Sequence, residues 1–254
     1  MNKTYLRGYI SVSAALLAKS RDVYRIIYDR TRFDTVFNSK YHNEEKRQYN
    51  FLKRVAKERK IKTDFMDTSA YVSLFGEDTG GIIAEVGDKK FVSDEELLGI
   101  KRPYLAILDG IEDPYNFGQV LRCFYAAGVD GIVVPERNFY TASAVVARAS
   151  AGASELLKVA SVSSVEEFCV KAKERGITLL ATADGEGSEN LYECDFERPI
   201  CVIIGGERRG ISKKVMALCD KTLRIEYPKK VNIALSASSA APIIAFEIGR
   251  KIGL

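Results

Sequence analysis

The chain has 254 residues, a formal net charge of +4, 46% hydrophobic residues and 28% charged residues. This length is sufficient to bury a substantial core and leaves room for two domains. No apolar run approaches the roughly 20 residues that span a bilayer, and residues 1–5 lack the apolar stretch of a secretion signal, so we predict a soluble, cytoplasmic protein with no membrane partner.

The first hundred residues alternate strand-like apolar runs with helical patterns, which indicates a small α/β domain. Helices are predicted near 11–19, 43–60 and 69–75, and strands near 23–28, 61–66 and 80–86. The stretch 88–103 is polar at first and closes with a proline, which is typical of a linker. We therefore divide the chain into a first domain at 1–97 and a second domain at 98–254.

Positive charge is concentrated in the first quarter of the chain. Residues 1–62 hold 16 Lys and Arg against 6 Asp and Glu, whereas the other 192 residues hold 22 against 28. Such a surplus is typical either of a polyanion-binding surface or of a solvated helix face. Rings that stack on bases, placed beside cations, favour RNA over duplex DNA, although many such rings belong to cores. The aromatic residues that interleave with this charge are Tyr24, Tyr28, Phe33, Phe37, Tyr41, Tyr49 and Phe51.

From residue 104 onward the alternation of strands and helices restarts. Strands are predicted near 105–108, 131–134, 159–162, 177–181, 200–204 and 222–227, and helices near 116–127, 142–157, 165–175 and 213–219, with a last helix ending near Lys251. Alternation this regular predicts an α/β fold with a mostly parallel sheet covered on both faces.

A pair of glycines follows one of these strands. Gly205 and Gly206 come directly after the apolar run 200–204, and Ser212 is placed to cap the next helix. Paired glycines bring bare backbone to a ligand at the carboxyl end of a strand, where α/β sheets bind small molecules. A phosphate loop is disfavoured because Ile211 stands where that loop requires lysine, and no G-x-G-x-x-G follows a strand. A tight turn without a ligand is the alternative.

A second group of polar residues lies near the start of the helix predicted at 116–127. Asn116 and Arg122 fall within its first two turns, after the strand predicted at 105–108. The fork of an arginine side chain suits a phosphate oxygen or a ribose hydroxyl. A helix cap for Asn116 and a plain surface cation for Arg122 are the alternative interpretations.

Cysteine and histidine usage excludes several kinds of chemistry. The five cysteines are scattered and none forms a C-x-x-C pair, so neither a disulfide framework nor a zinc site is indicated and buried free thiols are expected. His42 is the only histidine, which disfavours Ser-His or Cys-His catalysis and a histidine-ligated metal. We predict no metal.

Three segments in order resemble the motifs of the SpoU (TrmH) RNA 2′-O-ribose methyltransferases of the SPOUT superfamily. They are residues 109–122 with Asn116, Gly118 and Arg122, residues 205–211 with their glycines, and Ile225 followed by residues 235–247. This resemblance covers residues 104–254. The first hundred residues are similar, more loosely, to the L30e-like substrate-binding domain of ribosomal-RNA members, through residues 44–47 and 80–84.

The resemblance implies S-adenosylmethionine as methyl donor, a carboxy-terminal sheet tied in a deep trefoil knot, and a homodimer with the active site near the subunit interface. It also implies an RNA substrate, with ribosomal RNA favoured over transfer RNA. By motif match, Arg122 is the catalytic arginine, Asn116 orients it, and Glu207 and Ser238 are polar members of the site. The residues implied to bind the donor are Gly205, Gly206, Ile225, Leu235 and Ser236.

The third motif departs from the family pattern. The family usually has Ser-Leu-Asn-Val-Ser where this chain has residues 234–238, so Ser236 replaces an amide by a hydroxyl with less reach. Helix capping by Ser236 or Ser238 explains part of this segment without any site. The alternatives to an rRNA methyltransferase are an RNA-binding relative with weakened or lost catalysis, a tRNA-directed methyltransferase, and, more remotely, another kind of nucleotide-binding enzyme.

Overall fold

The computed structural model describes residues 4–136, 143–206, 209–229 and 235–254. In chain order, the elements are β1 (Thr4–Arg7), α1 (Gly8–Ala18), β2 (Val23–Asp29), α2 (Arg30–Asn38), α3 (Asn43–Glu58), β3 (Lys62–Met66), α4 (Thr68–Phe75), β4 (Ile82–Val86), α5 (Asp94–Leu98), β5 (Tyr104–Asp109), α6 (Pro114–Ala126), β6 (Gly131–Pro135), α7 (Ser143–Ala149), α8 (Ala153–Leu156), β7 (Lys158–Val162), α9 (Val165–Glu174), β8 (Thr178–Thr182), β9 (Glu189–Asn190), β10 (Ile200–Gly205), α10 (Lys213–Leu218), β11 (Lys221–Arg224) and α11 (Ala237–Lys251). Across these described ranges, no helix is both long enough and apolar enough to cross a membrane.

The described chain forms two compact units. The first contains the described residues up to Lys90 together with Ser143–Leu156, and the second contains the remainder. Helices α7 and α8 therefore belong to the first unit, although they lie between β6 and β7 in the sequence. The predicted functional division into 1–97 and 98–254 stays a prediction.

The first unit is built on a four-stranded sheet in the order β1-β4-β2-β3. The β1/β4 and β4/β2 pairs are antiparallel, and the β2/β3 pair is parallel. Successive residues of β2 are buried on opposite faces: Ile26 and Tyr28 join the main core with α1 and α3, whereas Ile27 packs with Tyr71 and Phe75 of α4. The two-residue period of a strand explains why the apolar run in β2 is continuous.

The second unit is built on a seven-stranded sheet in the order β7-β6-β5-β10-β8-β11-β9, in which every neighbouring pair is parallel. One face is covered by apolar residues of α5, α9 and α10. On α11, the Ala245 carbonyl accepts a 3.1 Å hydrogen bond from the buried Tyr104 hydroxyl of β5. The predicted α/β fold with a mostly parallel sheet is confirmed.

The predicted helix at 142–157 is wrong as a single element, because the chain breaks it into α7 and α8. Ala151 and Gly152 have φ angles of +48° and +80°, which interrupt helical geometry. A Cβ at Gly152 would lie 2.8 Å from the Ala14 side chain, so glycine permits the close approach of α1.

In the predicted linker, α5 forms because the Ser93 hydroxyl caps it by accepting from the Glu96 amide at 3.1 Å.

A buried ion pair joins α8 to the turn after α1. The Arg21 guanidinium donates to both carboxylate oxygens of Glu155 at 2.9 and 3.1 Å, and both side chains are at most 1% exposed. The Ser20 hydroxyl donates to the same carboxylate, and the Lys89 ammonium donates to the Glu155 backbone carbonyl at 3.2 Å. A buried carboxylate stays ionised only when it is paired and hydrogen-bonded in this way.

We expect Arg21→Met to destabilise the protein by about 3–5 kcal/mol, because it leaves the Glu155 carboxylate buried without its counter-ion. The control is Lys90→Met, which removes an ion pair to Asp22 whose side chains are more than half exposed and should cost less than about 1 kcal/mol. Urea unfolding measures both. Equal losses in the two variants would contradict the role of the buried pair.

Lys89 should make stability depend on pH. Burial lowers the pKa of the Lys89 ammonium from 10.5 to about 8. The negative charge of Glu155 raises this pKa in part, and the positive charge of Arg21 lowers it further. Between those two values the unfolded chain binds a proton that the folded protein has lost, so the contribution of this group to stability rises with pH. Relative to Lys89→Met, we expect the parent to gain about 2 kcal/mol between pH 8 and pH 10 in urea unfolding. A constant difference would contradict this.

Candidate active site at the carboxyl edge of the second sheet

The centre of the site is a contact between two backbone turns. In the parallel β5/β10 pair, Gly205 is registered with Asp109, so both strands end at the same level. A Cβ at Gly206 would lie 2.1 Å from the Gly110 carbonyl oxygen, and a Cβ at Gly205 would lie 2.5 Å from the Gly210 carbonyl carbon. No side chain fits in such spaces. The predicted glycine turn is therefore required by backbone packing at the sheet edge.

Gly210 faces open space in the same turn. Its amide donates to the Gly206 carbonyl at 2.9 Å, which closes the turn. Its φ of +59° favours glycine, and a Cβ there would meet nothing within 4 Å. The turn is thus packed on one side and accessible on the other.

Helix α6 begins directly after the β5 turn. The Asp113 side chain caps it by accepting from the Asn116 amide at 2.8 Å, and Pro114 occupies the first turn. The Asn116 side chain, which is half-buried, is therefore not the cap of this helix. Arg122 lies further along α6 and is exposed, and its side chain makes no hydrogen bond or ion pair with another described residue. Its guanidinium is available to a ligand or to another molecule.

The start of α11 carries a group of serines. Ser236 is the cap, since its hydroxyl accepts from the Ser239 amide at 3.2 Å, as the helix-capping alternative predicted. The same hydroxyl lies 3.0 Å from the hydroxyl of Ser238. Leu235 is 40% exposed, and its amide donates to the Tyr227 hydroxyl at 3.3 Å. This bond ties the start of α11 to the segment that follows β11.

Ile225 lies at the same sheet edge, because it directly follows β11 and all the strands run parallel. It is half-buried. Glu207, a predicted polar member of the site, lies outside the described residues. Gly110 and Tyr227 were missed by sequence reasoning, although a glycine directly after a predicted strand is a signal that indicates the former.

Helices α6 and α11 pack side by side with their starts at one end. A Cβ at Gly249, near the end of α11, would lie 2.9 Å from the carbonyl oxygen of Ala127, which caps the end of α6. Asn116 precedes Ala127 by eleven positions, and Ser238 precedes Gly249 by eleven positions. Each therefore lies roughly 16 Å from that contact, toward the start of its helix. The two helix starts are therefore level with each other, at the edge where the strands end.

Burial disfavours the thiolate form of the cysteines. Burial raises the pKa of the Cys201 thiol well above its usual range, and burial also raises the pKa of Cys123 against the opposing charge of Arg122. All five cysteines are free, three of them buried and two half-buried, which matches the prediction of free thiols. The described residues contain no group of three or more His, Cys, Asp or Glu side chains that could hold a metal ion.

These features define an α/β protein of the parallel-sheet class, with glycine turns and helix starts gathered at the carboxyl edge. The sequence profile of the SpoU rRNA methylase family matches residues 103–246. The chain belongs to this family, as the three ordered motifs predicted.

A relative by sequence agrees with this membership, and two solved structures share the fold. The 23S rRNA (guanosine-2′-O-)-methyltransferase RlmB of Shewanella oneidensis is 34% identical over 175 residues, covering 67% of this chain and 70% of the relative. The AdoMet-bound rRNA methyltransferase of Sinorhizobium meliloti superimposes with a TM-score of 0.77 at 17% identity, over 98% of this chain and 87% of that one. The A. aeolicus TrmH/SpoU tRNA modifying enzyme matches 62% of this chain and 80% of its own, with a TM-score of 0.53 and 21% identity.

We expect Gly206→Ala to destabilise the second unit by about 2 kcal/mol or more, because the added methyl group would overlap the Gly110 carbonyl. Gly185→Ala is the control, since a Cβ there would meet nothing within 4 Å. Thermal unfolding compares the two variants. A Gly206→Ala protein as stable as the control would show that the two turns do not require their close approach.

Proposed function

We propose that this protein is an S-adenosylmethionine-dependent RNA 2′-O-ribose methyltransferase that acts on ribosomal RNA. The observation that carries the proposal is that the segments matching the three SpoU motifs begin at one edge of one parallel sheet. A parallel α/β sheet binds its ligands at this edge. Family membership supports RNA methylation, and RlmB supports the ribose 2′ oxygen as the acceptor.

The residues at the edge fit the donor. Ile225 and Leu235 are partly exposed apolar side chains, suited to cover an adenine ring, and the open side of Gly210 leaves room beside the backbone. Gly205, Gly206 and Ser236 would complete the pocket. When bound, S-adenosylmethionine supplies a sulfonium methyl group.

The protein's own contribution to the reaction is positioning and charge. The Arg122 guanidinium, uncommitted within the described chain, would hold the ribose oxygen or an adjacent phosphate in line and stabilise the negative charge that develops on the oxygen. Asn116 and Ser238, at the level starts of α6 and α11, would orient the sugar. In our proposal, Glu207 completes the polar site.

Ribosomal RNA is favoured over transfer RNA by the first unit. The chain aligns over 98% of its length with an rRNA methyltransferase fold but over only 62% with a tRNA-modifying one. The first unit also carries the positive surplus of residues 1–62. We assign it the L30e-like, RNA-binding role predicted for 1–97, and we assign methyl transfer to 98–254.

A homodimer is supported by the exposed face of α6 and α11. Tyr115 and Tyr125 are 63% and 47% exposed on α6, and Phe246 is 50% exposed on α11. Exposed aromatic residues on adjoining helices are typical of protein interfaces. A second copy on this face would bring its surface close to Arg122.

The trefoil knot and the cytoplasmic location belong to the same proposal. Strand β10 comes late in the chain but lies between β5 and β8, which suits a knotted sheet.

An RNA-binding relative without catalysis is the second candidate, because Ser236 stands where the family has an asparagine and its hydroxyl caps α11. Titration calorimetry with S-adenosylmethionine separates the two candidates. An enzyme must bind the donor, and a chain that does not bind it would refute the methyltransferase proposal. Mapping 2′-O-methyl sites in cells with and without the gene would identify the RNA, and loss of a transfer-RNA site alone would contradict the proposed target.

We expect Arg122→Ala to lower the methyl-transfer rate by on the order of 10²-fold or more, because charge stabilisation at the reacting oxygen is lost. Donor affinity should be unchanged. The control is Arg175→Ala, which removes an arginine of the same unit that pairs with Glu95. Single-turnover assays measure the rates. A near-parental rate for Arg122→Ala would contradict its catalytic assignment, and equal losses of rate and donor affinity would reassign it to donor binding.

A further inference from the structure

Three aromatic rings of the first unit lie beside two exposed cations, and we call this group the aromatic–cation patch: Arg30, Phe33, Phe37, Lys53 and Phe65. Phe65 is exposed, whereas Phe33 and Phe37 are partly buried. The Arg30 guanidinium lies 4.7 Å from the centre of the Phe65 ring. The Lys53 ammonium lies 5.3 and 5.6 Å from the ring centres of Phe33 and Phe37. Throughout the described chain, neither cation has a carboxylate partner. Their charges are held by rings, which do not neutralise them.

The patch is fixed from behind and open in front. The Phe65 ring packs edge-on against Phe33 at 4.9 Å and tilted against the buried Tyr28 at 5.5 Å. Phe65 is nevertheless 37% exposed, on the edge strand β3, and Arg30 is exposed above it. The Arg30 guanidinium is thus held over a ring that is itself fixed by packing.

The charge of the basic segment that carries the patch selects the kind of partner. Arg47 and Lys57 are exposed on α3 and have no ion pair within the described residues, and the whole basic segment carries ten more positive than negative charges. A polyanion matches this surface better than an apolar protein face does. A planar, weakly hydrated guanidinium backed by a ring also offers a stacking surface to a nucleobase. Bases that are paired and stacked in a duplex do not expose their flat faces to such a surface.

We propose that the aromatic–cation patch binds unpaired RNA bases, one of which stacks on the outer face of the Arg30 guanidinium held by Phe65. This inference rests on the proposed function and names the surface of the first unit that holds the RNA strand. Lys53 contacts the neighbouring phosphate. The rings buried behind the patch, Tyr28 and Tyr49, support it and do not touch RNA.

The test compares Arg30→Lys, which keeps the charge but removes the plane, with Arg47→Lys, which makes the same change at an exposed arginine without a ring. The probes are a labelled oligouridine and a perfectly paired RNA duplex of the same length, measured by fluorescence anisotropy. We expect Arg30→Lys to weaken oligouridine binding by about tenfold, the size of one lost stacking contact, with an unchanged salt dependence. Duplex binding by Arg30→Lys, and both affinities of Arg47→Lys, should stay at parental values.

Phe65→Leu provides a second test, because it keeps apolar volume while removing the ring that holds the guanidinium. It should reproduce the loss seen with Arg30→Lys. If Phe65→Leu fails to fold, Arg30→Lys decides alone, since that side chain is exposed. Parental oligouridine affinity in Arg30→Lys, equal losses in Arg30→Lys and Arg47→Lys, or a loss confined to the duplex would each overturn the proposal.

Calorimetry with S-adenosylmethionine keeps this result separate from the proposed function. Donor affinity should be unchanged in every patch variant. A parent that binds the donor but shows no stacking-dependent RNA affinity would overturn the patch alone, whereas a parent that does not bind the donor would overturn the methyltransferase proposal.

Discussion

The pairing of β5 with β10 is the constraint on which the second unit depends. These strands are separated by about ninety residues of chain, yet they lie side by side, and the turns that follow them touch through bare backbone at Gly110 and Gly206. A single Cβ at the second position would force the turns apart. Because both turns are fixed, the start of α6 is held beside the glycine turn that follows β10. The start of α11, tied to Tyr227, lies at the same edge, and this brings the residues of the site together.

The first unit is organised by a different force. It combines a continuous apolar core with a fully buried Arg21–Glu155 pair, and it leaves other cations resting on aromatic rings at the surface. In the buried pair, the charge of Arg21 is neutralised by Glu155, so the pair contributes to the fold and not to the electrostatic field around the protein. At the surface, charge is left free, so it contributes to the field and to binding. The same residue type therefore serves two purposes in one unit.

The sequence pattern predicted most long elements, because their apolar periods are set by packing on a sheet. It did not predict β1, α2, α5 or β9. Helix α2 begins with Asp29 accepting from the Arg32 amide and buries only Val36, so its hydrophobic signal is weak. The roles of the site residues were inferred from the order of the motifs. The contact between Gly110 and Gly206, and the pairing of Arg21 with Glu155 across 134 residues, depend on tertiary structure, which no short stretch of sequence contains. Ser236 was ambiguous because a serine before a helix suits both a cap and a site.

The position of α7 and α8 determines the order in which the protein can mature on the ribosome. The chain leaves the first unit after Lys90 and returns at Ser143, and Ala147 and Glu155 then complete the interior of that unit. Domains commonly fold as soon as their own segment emerges during translation. Here the amino-terminal part cannot complete its interior until some sixty further residues, most of them belonging to the second unit, have left the exit tunnel, and Arg21 has no partner for its charge until then.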